Sequence, residues 1–234
     1  MALPKINQPL FSLTIPSTKA KIKYRPFTVK EEKILLIAQE SGDSDQTVLA
    51  IKQIINNCIE DINVEELATF DLEYIMLQLR AKSVSDVIEI KITDPDTKEE
   101  IDLSIDLNTI QIKENKDHDP FIKIQDDMVL HMTYPTLLMM NIIDESDDMT
   151  DPKVLFKLMI SCMKEVIQGD DVYPFKDFSH GEIEEFVNSM SMGNMNDIKM
   201  FFETMPVLKY EKEYTRKDGT KKTFVVQGMD TFFL

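Results

Sequence analysis

Alternating apolar and polar residues near the start of the chain predict a β-hairpin. Successive side chains of a strand point to opposite faces, so apolar residues at every second position mark a strand with one buried face. Two such runs flank the polar sequence at residues 16–19, which begins with proline and supplies the turn. The apolar positions are Phe11, Leu13 and Ile15 in the first run and Ala20, Ile22 and Tyr24 in the second.

Helical signals follow this hairpin. Thr28 with Glu31 three residues later forms a capping box, in which each side chain accepts a hydrogen bond from the other residue's backbone at the start of a helix. Gly42 marks the end of this helix, because glycine readily adopts the left-handed conformation that follows helices. A second helix is predicted from a cap at Ser44 to Cys58, with apolar residues at helical spacing along it.

The stretch from Phe70 to Val84 predicts a helix with two apolar faces instead of one. When the stretch is wound at about 100° per residue, two stripes lie roughly opposite each other. One stripe contains Phe70, Tyr74, Leu77 and Ala81, and the other contains Leu72, Ile75, Met76 and Leu79. Asp71, Gln78 and Lys82 mark a polar edge between them. Such a helix lies either between two layers of one fold or between the fold and another subunit, and the hairpins and helices nearby favour the first arrangement.

In the middle of the chain the apolar period changes from helical spacing to two residues. Alternation on both sides of Asp94-Pro95-Asp96 predicts a hairpin. Further strands are predicted at residues 110–112, 121–124 and 128–134. Together these strands predict a twisted antiparallel sheet.

A long helix is predicted after this sheet. Asp151 is a helix cap, and Pro152 occupies the first helical position, where proline is well tolerated. The helix is predicted to continue to Gly169. Its predicted buried face comprises Leu155, Leu158, Met159, Cys162 and Val166.

Two more helices and a second hairpin complete the pattern. Ser179 with Glu182 forms another capping box, and a helix that begins at Asn194 is predicted to end at Pro206. Asp218-Gly219 then predicts the turn of a hairpin, because this dipeptide favours the tight turns that join antiparallel strands.

The order of these elements predicts an α+β fold. It consists of an N-terminal β-hairpin, a helical cluster, a central antiparallel sheet, C-terminal helices and a final β-hairpin, without the strict strand–helix alternation of doubly wound folds. We predict a division into residues 1–134, with the helical cluster and the sheet, and residues 135–234, with the C-terminal helices and hairpin. A single domain is the alternative.

Charge and hydropathy exclude several classes of partner. The chain has 42 acidic and 26 basic residues, for a net charge of −16, which repels nucleic acid and anionic membrane surfaces. No apolar run approaches the roughly 20 residues needed to span a bilayer. The N-terminal residues lack the apolar region of a secretory signal, so we expect the protein to remain in the cytoplasm where it is made.

The residues that usually carry catalysis do not form a recognisable motif. His118, His131 and His180 are dispersed, and no metalloprotease, nucleophile-elbow or phosphate-loop pattern is found. Cys58 and Cys162 lie among apolar residues at helical spacing, so we expect two buried thiols. The sequence therefore predicts no enzyme activity, no cofactor and no metal site.

Methionines are concentrated in one part of the chain, since 12 of the 15 lie between Met128 and Met205. Flexible thioethers suit surfaces that adapt to a partner, although methionine at helical spacing also fills cores. The candidate partner-binding residues are Met190, Met192 and Met195, around Gly193 in a predicted loop between helices, and Phe232, Phe233 and Leu234 at the C-terminus.

Four ordered blocks of the sequence carry a family resemblance. They are KIKYRPFTVKEEKILLIAQE at 21–40, AIKQIINNC at 50–58, FDLEYIMLQLRAKSV at 70–84 and the ending VVQGMDTFFL. Together they resemble the baseplate hub subunit and hub assembly family of T4-like contractile-tailed bacteriophages.

This resemblance implies a non-enzymatic viral protein that takes part in building the central hub. Its implied partners are other baseplate hub proteins, with a homo-oligomer as a further arrangement. Its implied locations are the host bacterial cytoplasm during assembly and the tail baseplate of the virion. The family contains both hub components and assembly helpers. The alternative is therefore a soluble hub assembly chaperone that is absent from the mature virion.

The last hairpin departs from the family pattern. Family members often carry cysteine pairs there, suggestive of a zinc ribbon, followed by a glycine and a terminal aromatic pair. Gly228, Phe232 and Phe233 keep the ending, but the cysteines are missing. We therefore predict a hairpin without metal.

Overall fold

The computed structural model describes Pro4, residues 6–140 and residues 151–227. It contains helices and antiparallel sheets, including both terminal hairpins, which confirms the α+β class. The chain divides into two compact units. Unit 1 comprises Met1–Val64, Phe70–Lys113 and Val207–Leu234, and unit 2 comprises Glu65–Thr69 and Glu114–Pro206.

Unit 1 begins with the predicted hairpin and two helices. These elements are β1 (Phe11–Thr14), β2 (Lys21–Tyr24), α1 (Val29–Ser41) and α2 (Ser44–Cys58). The capping box of α1 is present, since Thr28 N–H donates to Glu31 Oε2 at 2.8 Å, and Gly42 follows the helix with a φ of 65°. The cap of α2 is Asp43 instead of the predicted Ser44, because the Asp43 carboxylate accepts hydrogen bonds from the backbone N–H groups of Asp45 and Gln46.

Helix α3 (Thr69–Ser83) buries both predicted stripes except for Tyr74, which is half-buried. Leu77 of one stripe and Ile75 and Leu79 of the other are at most 1% exposed. The prediction of a polar edge was wrong for Asp71, which is fully buried. Its carboxylate accepts hydrogen bonds from the backbone N–H and the hydroxyl of Ser17, in the turn between β1 and β2, and these donors replace water around the charge.

The remainder of unit 1 consists of hairpins and one short strand. These elements are β3 (Val87–Thr93), β4 (Glu100–Asp106), β5 (Gln111–Lys113), β10 (Val207–Thr215) and β11 (Lys221–Gln227). Among the residues that the structure describes, strands β3 and β4 pair with each other and with no other strand, whereas β10 lies between β11 and β5 in an antiparallel three-stranded sheet. Their buried residues form one core cluster with the Leu77 stripe of α3.

Unit 2 contains a four-stranded antiparallel sheet in the order β6-β7-β8-β9. Its strands are β6 (Phe121–Gln125), β7 (Met128–Met132), β8 (Met163–Gln168) and β9 (Asp171–Pro174). Its helices are α4 (Leu137–Met140), α5 (Pro152–Ser161), α6 (His180–Asn188) and α7 (Met192–Thr204). Leu130, Cys162 and Ile198 are fully buried at the centre of this unit.

The predicted helix from Asp151 to Gly169 was wrong beyond Ser161. Helix α5 starts as predicted, but residues 163–168 form β8, which pairs with β7 on one side and β9 on the other. Hydrogen bonds to two neighbouring strands and the β-branched Val166 and Ile167 outweigh the helical spacing. The buried residues of α5 are Val154 and Ile160, whereas Leu155, predicted to be buried, is 49% exposed.

The predicted central sheet is also divided differently. Strands β3 and β4 form one sheet, β5 joins β10, and β6 and β7 join β8 and β9. The apolar period identifies a strand but not its partner, because pairing is decided by contacts between distant segments.

The two units do not follow the predicted division after residue 134. The last hairpin pairs with residues 111–113 through β10, and this pairing joins the C-terminal segment to unit 1. Unit 2 is therefore formed largely by the segment between those two strands.

Candidate interaction surfaces

The candidate methionines lie at the junction of α6 and α7. The prediction of a loop around Gly193 was wrong, because α7 begins at Met192, two residues before the predicted Asn194. The cause is a capping box in which Ser191 N–H donates to Asn194 Oδ1 at 3.0 Å and Asn194 N–H donates to Ser191 Oγ at 3.1 Å. Asn194 Nδ2 also donates to the backbone oxygen of Ile124, which ties the start of α7 to β6.

These methionines differ in exposure. Met192 is 84% exposed at the first position of α7. Met190 and Met195 are half-buried against the core of unit 2. Met192 alone of the three presents most of its side chain to solvent. The other candidates, Phe232, Phe233 and Leu234, lie outside the described residues.

A second apolar surface on unit 2 was missed from the sequence. It is a groove of about 310 Å³ along β8, β9 and α6, which we call the unit 2 groove. Its lining residues are Met128, Val166, Gln168, Tyr173, Phe175, Phe178, Glu182, Ile183 and Phe186. Tyr173 and Phe178 are exposed, whereas Phe175 is buried and packs edge-on against Phe186. An aromatic floor with exposed aromatic side chains beside it is typical of a protein-binding surface.

The unit 2 groove continues into a second depression. That depression has a volume of about 390 Å³ and shares Phe175 and Ile183 with the groove. Lys157 and His180 contribute its charged and titratable groups. Neither surface could be predicted from the sequence, because β9 was not predicted and the lining residues come from several elements that are distant in the chain.

In unit 1, a buried carboxylate joins two hairpins. Asp94, in the turn after β3, is fully buried and accepts hydrogen bonds from Tyr214 Oη at 2.6 Å, Arg216 Nε at 2.8 Å and Arg216 Nη2 at 2.7 Å. The backbone N–H groups of Asp96 and Thr97 donate to it as well. Hydrogen bonds from Arg216 and Tyr214 hold the pKa of Asp94 well below its usual range, although burial alone would raise it. The last hairpin is thus fixed by a charge network at this point.

A second buried carboxylate fixes the start of α1. Glu31 is 1% exposed and accepts hydrogen bonds from Arg25, Thr28 and Asn57. Burial raises the pKa of Glu31, but the hydrogen bonds from Arg25 and Thr28 outweigh burial and lower this pKa to about 2. Both buried carboxylates therefore remain charged near neutral pH and act as structural anchors.

Two of the histidines that the structure describes, His118 and His131, make structural contacts. Nδ1 of His118 lies 3.1 Å from the hydroxyl of Thr204, and its Nε2 lies 3.1 Å from the hydroxyl of Tyr134. Burial lowers the pKa of His118, so this ring is neutral near neutral pH. Nδ1 of His131 lies 2.7 Å from Glu165 Oε1, and the ring stacks on Phe121.

Both cysteines are buried thiols, as predicted. Burial raises the pKa of Cys58 to about 11 and that of Cys162 to about 12, so neither provides a thiolate at neutral pH. Across residues 6–140 and 151–227, no group of three or more His, Cys, Asp or Glu side chains is placed to hold a metal ion. No helix in these ranges is long and apolar enough to cross a membrane.

Comparison with known proteins gives one match. A sequence model for the family described as T4 bacteriophage base plate protein matches residues 8–234. The match includes every residue that forms the surfaces and charge networks described above. No match was found among curated proteins or among solved structures.

Proposed function

The chain belongs to the T4 bacteriophage base plate protein family, and on this premise we propose that it is a non-enzymatic structural or assembly protein of the baseplate hub. The match over residues 8–234 carries the proposal, because it spans nearly the whole chain. A baseplate protein works through contacts with other baseplate proteins. The hub role and the absence of catalysis are more specific than the family match. They are supported by the resemblance of the four sequence blocks and by the surfaces described above.

The apolar surfaces support action through protein contacts. The unit 2 groove and Met192 expose aromatic and thioether side chains to solvent. Exposed apolar surface costs free energy in water, and a docked partner would remove this cost by covering it. We propose that both bind other hub proteins, and that Phe232, Phe233 and Leu234 contribute a third contact. A second copy of the chain is a further partner for these surfaces.

The alternative function is a hub assembly chaperone that leaves before the virion is complete. A net charge of −16 supports this alternative, because strong self-repulsion keeps a protein with exposed apolar grooves in solution. Such a helper would shield apolar hub surfaces and then be released.

Mass spectrometry of purified virions, compared with lysates of infected cells, separates these functions. A hub component is recovered from virions in constant ratio to other baseplate proteins. A chaperone is found in lysates, bound to hub proteins, and is missing from virions. Absence of the chain from both virions and every complex with baseplate proteins would refute both.

A matched pair of variants tests the unit 2 groove. Phe178→Ser removes an exposed aromatic side chain from the groove, and Phe121→Ser removes an exposed aromatic side chain on β6, outside the groove. We expect the first to reduce binding to hub proteins about tenfold or more, in the range of interface hot spots. The second leaves binding unchanged. Equal effects of the two variants would remove the groove from the proposal.

A further inference from the structure

The four-stranded sheet of unit 2 has a second face, on the side opposite the core and the unit 2 groove. Strand pairing places Ile122, Leu130 and Val166 in one row across the sheet, and all three are buried in the core. Residues that neighbour them along each strand point to the other side, because successive side chains of a strand alternate. We call this other side the outer face of unit 2.

Two cross-strand rows form the outer face of unit 2. In the order β6-β7-β8-β9, one row is Phe121, His131, Glu165 and Pro174, and the other is Lys123, Val129, Ile167 and Val172. None of these residues belongs to the core cluster in the part of unit 2 that the structure describes. Val129 and Ile167 are half-buried side by side at the centre, whereas Phe121 and Val172 are 47% and 52% exposed at opposite edges. Such an apolar surface is suited to packing against another sheet.

The charge of the outer face of unit 2 is balanced, although the whole chain carries −16. His131 Nδ1 lies 2.7 Å from Glu165 Oε1, and Lys164 Nζ lies 3.7 Å from the same oxygen. Lys123 Nζ lies 2.9 Å from Asp126 Oδ1. Two lysines therefore offset two carboxylates, beside one histidine. Two copies of so acidic a chain repel each other, and this repulsion is reduced where the facing surfaces carry no net charge.

The order of residues in the two rows is complementary to itself. A two-fold axis parallel to the strands, between β7 and β8, places β7 of one copy over β8 of the other and β6 over β9. His131 of each copy then faces Glu165 of the other. Val129 faces Ile167, so four β-branched side chains meet at the centre, and Lys123 faces Val172 at the edge. Aligned packing of two sheets, with mean strand directions within about 30° of each other, has this form.

We propose that the outer face of unit 2 binds a second copy of the chain through this two-fold arrangement. Four strands of about five residues cover about 320 Å² on each copy, at spacings of about 4.8 Å between strands and 3.3 Å between residues. A standard interface buries about 800 Å² per partner, so we expect a weak dimer with a dissociation constant between about 10 and 500 μM. Copies held together in one assembly reach effective concentrations at which such a contact forms. This inference does not depend on the proposed function, because it involves no other baseplate protein.

Opposite charges at position 172 test the two-fold geometry. Val172→Lys and Val172→Glu both remove the same exposed side chain from the edge strand β9. In the dimer this position faces Lys123 of the other copy. We therefore expect Val172→Lys to weaken dimerisation about tenfold, and Val172→Glu chains to dimerise at least as tightly as the wild type. Adding Lys123→Glu to Val172→Lys should restore the dimer. Total charge alone predicts the opposite order, because Val172→Glu makes an acidic chain more acidic.

Sedimentation velocity of the purified full chain over a range of concentrations measures each dissociation constant. A matched aromatic pair adds a second test, since Phe121 and Phe178 are similarly exposed but only Phe121 lies on the outer face of unit 2. We expect Phe121→Ser to weaken the dimer several-fold and Phe178→Ser to leave it unchanged. These are the variants of the unit 2 groove test with their roles exchanged, so failure of hub binding and failure of dimerisation are distinguishable.

Several outcomes would overturn the inference. They are a chain that remains monomeric at about 500 μM, equal effects of the two charges at position 172, or equal effects of the two aromatic variants. Loss of binding to another baseplate protein in Phe121→Ser, without a dimer of the wild type, would assign the outer face of unit 2 to that protein instead.

Discussion

Helix α3 provides the most quantitative prediction, because its two buried stripes require that truncation on either face destabilises unit 1. Leu77 is fully buried in the first stripe, and Leu79 is 1% exposed in the second. Replacing a fully buried leucine with alanine costs about 2–5 kcal/mol, from lost burial and the cavity left behind. We therefore expect Leu77→Ala and Leu79→Ala each to lower the free energy of unfolding by about 3 kcal/mol.

The double variant sharpens this prediction. The two side chains lie on opposite faces of α3, so their effects should be nearly additive, at about 6 kcal/mol. That loss is comparable to the whole stability of a typical domain, about 5–15 kcal/mol. We therefore expect unit 1 of the double variant to be unfolded or only marginally stable at 25 °C.

Urea unfolding followed by far-UV circular dichroism measures the single variants, and amide hydrogen exchange assigns the loss to unit 1. This assignment is needed because a chain with two compact units can unfold in more than one step. Leu36→Ala is the control, since Leu36 is 49% exposed on α1 and its truncation should cost less than about 0.5 kcal/mol. A cost below about 1 kcal/mol for either buried leucine would refute burial of that stripe. If that variant also lost binding to hub proteins, the stripe would be an interface.

Three further predictions concern individual groups. The pKa of Asp94 is lowered in the folded protein, so its ionised form adds stability above its unfolded pKa of about 4, and this stability is lost as the pH falls through the lower folded value. Urea midpoints should therefore fall less steeply below pH 4 in Asp94→Asn than in the wild type, and parallel curves would contradict the charge network with Arg216. Because burial raises the pKa values of Cys58 and Cys162, a thiol reagent at pH 8 should modify both only after denaturant is added, and rapid labelling of the native protein would contradict their burial. Thr28→Ala removes the cap of α1 and should cost about 1 kcal/mol in urea unfolding, whereas Thr28→Ser should retain most of that stability.

The elements defined by local hydrogen bonds could be predicted from the sequence. The capping box of Thr28 and Glu31, the box of Ser179 and Glu182, and the turn at Asp218-Gly219 all lie where the sequence indicates. Each of these signals acts within four residues, so distant contacts do not have to be known.

The caps of α2 and α7 were each misplaced by one to three residues although their signals are local, but the larger errors arise where distant segments decide the structure. Residues 163–168 have helical apolar spacing but become a strand between two others, and Asp71 is buried because Ser17 supplies its donors. The unit 2 groove escaped prediction for the same reason. Its lining combines Met128, residues 166–178 and residues 182–186, and no local pattern indicates that these segments meet.

The pairing of β10 with β5 has a consequence for the order in which the chain can fold on the ribosome. Strand β5 ends at Lys113, but its partner starts at Val207, so the whole of residues 114–206 is translated between them. Most of unit 2 can therefore form its sheet while the three-stranded sheet of unit 1 still lacks two strands. A nascent chain at this stage would leave part of the core cluster around Leu77 exposed, and chaperones could bind this apolar surface. Synthesis of the last hairpin then acts as the step that completes unit 1.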